Sequence, residues 1–258
     1  MNRWIAVVAV AAVAASATAA PYVVLKNGQR KDGVTIRAKA DGSVFIIDSN
    51  GVRFDYTRDQ YVQAVTDKPA GLDAAVAAVA AKKYDEAIPA LQKIVTDMRF
   101  LEWDRTAGLE LVKALQGKKD FEGAIRTYDV LMKDYPKLDT DPEAGWSYRE
   151  LIFGAKQFAR LEPMLVKLLA GENRTDAARA LVMRGDIRAS ENKPEMAVRD
   201  YLRAVLFYER ESTVIPAALV RTAQTLERMR DPRAKEFYRR VVEEYGDAPE
   251  AAQAKGKL

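Results

Sequence analysis

Five residues, Ala87, Ala124, Leu161, Ala197 and Ala234, stand 37, 37, 36 and 37 residues apart, and each is followed four places later by Leu91, Tyr128, Leu165, Tyr201 or Tyr238. A period between about 20 and 50 residues marks one supersecondary unit stacked on copies of itself. The four-residue offset sets each pair on a single helix face. There the small residue lets a neighbouring helix approach, and the large one fills the groove beside it. The spacing therefore predicts about five helix pairs, with Ala87, Ala124, Leu161, Ala197 and Ala234 as the repeat-packing positions and Leu161 as the anchor with the loosest packing.

The segments around the anchors sharpen this reading. Tyr84 precedes Ala87 by three residues, Phe121 precedes Ala124, and Phe158 precedes Leu161. In the last two units Pro194 and Asp231 take that place, with Pro194 and Pro232 suited to a first helical turn. From about residue 72 to 258 the chain resembles the tetratricopeptide repeats, and Gly185, twelve residues before Ala197, matches that family's small residue on the first helix. The last unit, Ala234 to Tyr245 followed by Asp247-Ala248-Pro249-Glu250-Ala251 and Ala254, is similar to terminal repeats of envelope proteins related to the assembly lipoprotein BamD and the Tol-Pal coordinator. Gly246 and Ala248 depart from the proline and serine of that pattern. The resemblance implies a periplasmic adaptor that binds proteins. The period exceeds the usual 34 residues by about three, which places the extra residues in inter-unit loops such as 135–142.

Ahead of the array, between Tyr22 and Val65, the period drops to two. Asn27-Gly28, Asp41-Gly42 and Asn50-Gly51 punctuate it, each a signal for a two-residue hairpin with a type I′ turn. Strands are expected at about 22–26, 29–39, 43–48 and 51–57, with a short fifth at Tyr61–Val65. This run resembles the small SH3-like or Sm-like barrels. Two look-alike motifs carry no chemistry. Gly28 and Gly33 have P-loop spacing, but Val34 stands where the phosphate-binding Lys must follow. Asp48-Ser49-Asn50-Gly51 lacks both the glycine place and the bidentate Glu of a calcium loop.

The N-terminus reads as a secretory signal peptide: Arg3, an apolar run from Trp4 to Ala15, and small residues at Ala17 and Ala19. Cleavage after Ala19 is expected, giving a periplasmic or secreted protein that meets the membrane only through the uncleaved signal. The chain has no Cys, so it carries no disulfide, thiol nucleophile or lipid-attachment cysteine. It also has no His, which removes the commonest general base and metal ligand. The 41 basic and 37 acidic side chains are interspersed rather than segregated, a balance that argues against nucleic acid as a partner.

The organisation expected is a mainly α chain: signal peptide 1–19, a small antiparallel β-domain 20–66, and an α-solenoid of helix pairs over 67–258. No catalytic residue, cofactor or metal is expected. The acidic cluster Asp139, Asp141 and Glu143 reads as a solvated loop with a helix-capping Asp. First helices should line a concave face on which a protein partner docks, and Lys113, Gln116, Glu150, Arg179 and Asp186 are the polar candidates there. Trp103, Trp146 and Tyr148 read as core residues. The basic stretch Arg228, Arg230, Arg233, Lys235, Arg239 and Arg240 reads as a solvated face with intrahelical pairs. A rival function is glycan or peptidoglycan binding through the β-domain.

Overall fold

The computed structural model describes residues 20–136, 138 and 141–258; the signal segment and Asp139 lie outside them. The chain divides into two compact units, one ending at Ala144 and the other spanning Gly145–Leu258.

The first unit opens with six short strands, β1 (Tyr22–Leu25), β2 (Arg30–Asp32), β3 (Thr35–Ala38), β4 (Val44–Ile47), β5 (Arg53–Tyr56) and β6 (Tyr61–Val65). They form two three-stranded antiparallel sheets, β2-β1-β6 and β3-β4-β5, rather than a closed barrel. The single strand expected at 29–39 is divided between them. The Gly33 N–H donates to the carbonyl of Pro21, the residue just before β1 of the first sheet, and the next N–H, of Val34, donates to Ile47 of the second. A Cβ on Gly33 would lie 2.4 Å from Ile46 Cγ1 and 2.5 Å from the Ile47 carbonyl oxygen. Only glycine fits where the chain changes sheets.

The three Asx-Gly hairpins are present, but their turns are not type I′. Gly28, Gly42 and Gly51 have φ of 84°, 83° and 77°, while Asn27, Asp41 and Asn50 stay at negative φ. In each, the glycine N–H donates back three residues, to Leu25, Lys39 and Asp48, and that same residue's N–H donates four residues on, to Gln29, Ser43 and Val52. This is the three-residue loop with one left-handed glycine. Side chains make it affordable without a second positive φ: Asn27 Oδ1 accepts from the Gln29 N–H (3.0 Å), Asp41 Oδ1 from Ser43 (2.9 Å) and Asp48 Oδ1 from Asn50 (3.0 Å). The sheets enclose Val23, Ile36, Val44, Ile46, Tyr61 and Ala64.

Eleven helices follow among the described residues, in consecutive pairs. In the first unit α1 (Leu72–Ala80) pairs with α2 (Tyr84–Asp97), and α3 (Trp103–Gly117) with α4 (Phe121–Asp134). Between α2 and α3, Phe100 and Glu102 adopt positive φ (66° and 71°), and Leu101 between them enters the β core. Buried Asp104 holds this loop, accepting the Phe100 N–H at 2.9 Å and the Tyr135 hydroxyl at 2.5 Å. The second unit contains the rest of α5 (Pro142–Gly154), then α6 (Phe158–Leu169), α7 (Arg174–Ser190), α8 (Pro194–Phe207), α9 (Ile215–Arg228), α10 (Ala234–Glu244) and α11 (Pro249–Lys255).

The anchors Ala87, Ala124, Leu161 and Ala197 are fully buried on α2, α4, α6 and α8, and Ala234 is buried at the start of α10. Helix starts use the side chains that the sequence offers. Asp120 accepts from the Gly123 N–H at 2.9 Å, Asn173 from Asp176 at 3.0 Å and Asp141 from Ala144 at 3.0 Å. Pro194 opens α8, whereas Pro232 lies in the turn ahead of α10 rather than in its first turn.

A second period runs through the backbone. Lys82, Lys119, Lys156, Asn192 and Arg230, one after each first helix, all have φ between 56° and 63°. Around Lys82 the Lys83 N–H reaches the Ala78 carbonyl (2.8 Å) and the Lys82 N–H reaches Val79 (2.9 Å). The equivalent longer bonds are Asp120 to Leu115, Gln157 to Ile152, Lys193 to Arg188 and Asp231 to Leu226. All five turns are therefore Schellman motifs that close the first helix and launch the second.

Candidate binding groove

The polar positions predicted for first helices divide between the two units. Lys113 and Gln116 lie on α3; Lys113 is exposed with its Nζ 2.5 Å from Glu110 of the same helix, and Gln116 is half-buried. Glu150 is exposed on α5. Arg179 of α7 lies over the Trp146 ring, 4.1 Å from its centroid. Trp146 itself is buried and donates its indole N–H to Asp176 at 2.7 Å. Tyr148 is likewise buried and bonded to Arg160, and half-buried Trp103 donates to the Thr66 carbonyl at 2.8 Å. The three aromatics act in packing.

Asp186 is the predicted residue that lines a depression. Three first helices of the second unit meet there: α5 contributes Phe153, α7 contributes Asp186 and Ser190, and α9 contributes Arg221, Gln224 and Arg228. The cavity measures about 270 Å³ and has Tyr201 of α8 in its lining. On α7 the lining positions Asp186, Ala189 and Ser190 are spaced i, i+3 and i+4, and on α9 Arg221, Gln224, Thr225 and Arg228 fall at i, i+3, i+4 and i+7, so each set occupies one helix face. Arg221 and Gln224 of α9 lie in no recognisable sequence motif. Counting back from Ala234 to set that helix's register was the available signal.

The electrostatics of the depression are lopsided. Asp186 accepts from the Tyr201 hydroxyl at 2.9 Å and sits 3.2 Å from Arg221 Nε. Burial pushes the Asp186 carboxyl above its ordinary value, against the opposing pull of Arg221 and of the tyrosine hydrogen bond. Burial, and then the neighbouring Asp186 charge, push the Tyr201 hydroxyl far up. Ser190 donates to the Ile187 carbonyl (2.7 Å) and Thr225 to Arg221 (2.8 Å), which leaves their oxygens as acceptors. Arg228 makes no ion pair among the described residues, so the lining keeps one uncompensated positive charge. The rest of the basic stretch is largely paired: Arg233 with Asp231, Arg239 with Glu236 and Arg240 with Glu244.

Among the described residues there is no group of three or more His, Cys, Asp or Glu able to hold a metal ion, and no helix long and apolar enough to cross a membrane. No curated protein matches the chain. The family model of the tetratricopeptide repeat matches residues 106–137 and 217–248, the α3/α4 and α9/α10 pairs, which begin 111 residues apart, or three periods of 37. Within an array of consecutive helix pairs after a small β-domain, these two matched pairs are similar to tetratricopeptide repeats, the helix-pair module of protein–protein interaction scaffolds.

Proposed function

We propose that the protein is an exported adaptor of the cell envelope that receives a segment of a protein partner in the depression between α5, α7 and α9. The observation that carries this reading is the convergence of three successive first helices on one polar cavity with a single uncompensated cation, Arg228. A lining of that kind suits a polypeptide segment presenting an acidic side chain, since guanidinium binds carboxylate through paired, charge-assisted hydrogen bonds. The tetratricopeptide matches support scaffolding. The signal-like residues 1–19 support export, and the likeness of the last repeat to envelope repeats supports the compartment. No step of this reading requires catalysis.

The rival, glycan recognition by the β-domain, finds less support. Three of the domain's aromatic faces are covered by its own cations: Arg30 over Tyr22 at 3.8 Å, Lys31 over Phe54 at 3.6 Å and Arg53 over Phe45 at 4.0 Å. Photo-crosslinking from position 224 in the native envelope, followed by mass spectrometry, tests the proposal. A protein partner whose crosslink disappears in Arg228→Glu is expected. Recovery of no protein, or of a partner indifferent to that substitution, counts against the groove. Retention of the protein in spheroplasts stripped of their periplasmic contents counts against export.

A further inference from the structure

β3 is an edge strand: it pairs with β4, and its other side meets no described strand. The Lys39 N–H donates to the Ser43 carbonyl at 2.8 Å, and the ladder continues with Arg37 opposite Phe45 and Thr35 opposite Ile47. In an antiparallel ladder every second residue turns its main-chain groups inward. Thr35, Arg37 and Lys39 therefore commit theirs to β4, and Ile36 and Ala38 turn theirs outward. Among the described residues neither takes part in a main-chain bond beyond the ladder. An open row of this kind is a template for another strand.

The outward row borders a trough. Two depressions, of about 360 and 480 Å³, adjoin through Ala38 and Asp97, which line both. The far wall is the end of α2 and the residue after it, from Val95 to Met98, and Val130 of α4 contributes an aliphatic side chain that is 46% exposed. Strand alternation gives the two faces of β3 different chemistry. Ile36 and Ala38 face the apolar interior, whereas Arg37 and Lys39 share the outer face. Arg37 makes no ion pair among the described residues. Lys39, half-exposed, reaches Asp55 only at 3.7 Å. Arg99 adds a third cation to the trough wall, itself paired with Asp134. Two acids also line the trough: Asp97, which is 3.1 Å from Lys93, and Asp67, which belongs to the smaller depression only.

We propose that β3 is a docking edge on which an extended segment of a partner polypeptide, alternating acidic and aliphatic residues, adds as a fourth strand. Main-chain bonds to Ile36 and Ala38 supply affinity, and the side chains set the sequence preference. Acidic residues lie opposite Arg37 and Lys39 on the outer face, and aliphatic ones fill the trough beside Val95 and Val130. This surface is separate from the α5/α7/α9 depression and stands without it.

The probe is a capped hexapeptide alternating glutamate and valine, compared with its lysine-valine counterpart and with a copy N-methylated at alternate residues. The glutamate peptide should bind the full-length protein at least about tenfold more tightly than the lysine one, and should slow hydrogen exchange at the Ile36 and Ala38 amides. Ala38→Pro removes an N–H from the outer side of an edge strand, a place that tolerates proline. It should keep the far-UV spectrum and lower affinity at least about tenfold. If that variant misfolds, the N-methylated peptide decides, since it must lose binding while the protein is unchanged. Equal binding of glutamate and lysine peptides, undiminished binding by folded Ala38→Pro, or unimpaired binding of the N-methylated copy overturns the proposal. Self-association that Ala38→Pro abolishes, without peptide uptake, overturns it too, because a second copy would then be the occupant.

Discussion

Gly185 of α7 lies so close beneath Tyr201 of α8 that a Cβ on the glycine would fall 2.3 Å from Cε1 of the ring. The contact seats the tyrosine where its hydroxyl reaches Asp186, so this close approach of α8 to α7 also supplies part of the lining of the depression. Gly185→Ala tests how rigid that seat is. Alanine gains about 1 kcal/mol of helix propensity, but the ring must shift, and overpacking costs about 1–3 kcal/mol. The expected outcome is a net loss of up to about 2 kcal/mol in urea denaturation, together with a changed tyrosine near-UV signal. A gain in stability would show that α8 yields freely.

The five Schellman turns predict stabilising substitutions. Lys82, Lys119 and Lys156 are exposed and left-handed, a conformation that costs a β-carbon-bearing residue about 1 kcal/mol and glycine almost nothing. Each Lys→Gly change should stabilise the protein by about 0.5–1 kcal/mol, less the favourable charge–dipole term of a cation at a helix C-terminus. Asn192→Gly should gain least, because asparagine already tolerates this region. Denaturation midpoints of the four single variants rank them directly.

The second period shows what could and could not be read from the chain. The anchors were legible because helix packing constrains side-chain size at fixed spacing: Ala87, Ala124 and Ala197 are fully buried where the spacing put them. The left-handed turns recur just as regularly, yet Lys, Asn and Arg occupy them in place of the glycine that marks such sites, so geometry repeats there without a residue signature. In the β-domain the Asx-Gly pairs located every hairpin but misnamed the turn, since Asn27, Asp41 and Asp48 stabilise a negative-φ turn through their side chains. The break at Gly33 depends on Ile46 and Ile47, more than ten residues away, and no local pattern reports it. The anchors set the helix register that places Asp186 on a first helix, whereas the meeting of Asp186 with Arg221 and Gln224 depends on which faces of α7 and α9 converge, and no local pattern reports that.

Asp104 should give the first unit a distinct pH response. Burial pushes its carboxyl above the ordinary value, with hydrogen bonds from Tyr135 and the Phe100 N–H pulling the other way. A carboxyl whose folded value is raised contributes stability in full below its unfolded value, and that contribution is lost as pH rises through the folded value. The advantage of wild type over Asp104→Asn should therefore be full in acid, below the ordinary carboxylate value of about 4, and shrink as pH rises above it towards neutrality. Tyr135→Phe removes a donor to the charged form. It should cost about 2 kcal/mol near neutrality and less in acid, where the protonated carboxyl no longer needs that donor. Paired urea titrations at both pH values check the two signs; parallel curves would mean that Asp104 is not the group responding.

Leu161 sets the sequence expectation against the packed structure most directly. By repeat logic a leucine in place of the small anchor loosens the third pair, and Leu161→Ala should then be neutral or helpful. In the structure Leu161 and Leu165 have no exposed surface, like the anchor alanines of the neighbouring units, so the pair has accommodated the larger side chain and fills around it. Removing three buried carbons from a filled site forfeits their transfer energy and leaves a cavity, a loss of about 2–5 kcal/mol. We therefore expect Leu161→Ala to destabilise the second unit by about 3 kcal/mol despite restoring the residue used by the other four repeats. Leu161→Met, which keeps most of the volume, should cost less than about 1.5 kcal/mol. Near-equal midpoints for Leu161→Ala and wild type would instead show that α6 collapses onto its neighbours without a cavity, making the third pair the adaptable one of the array.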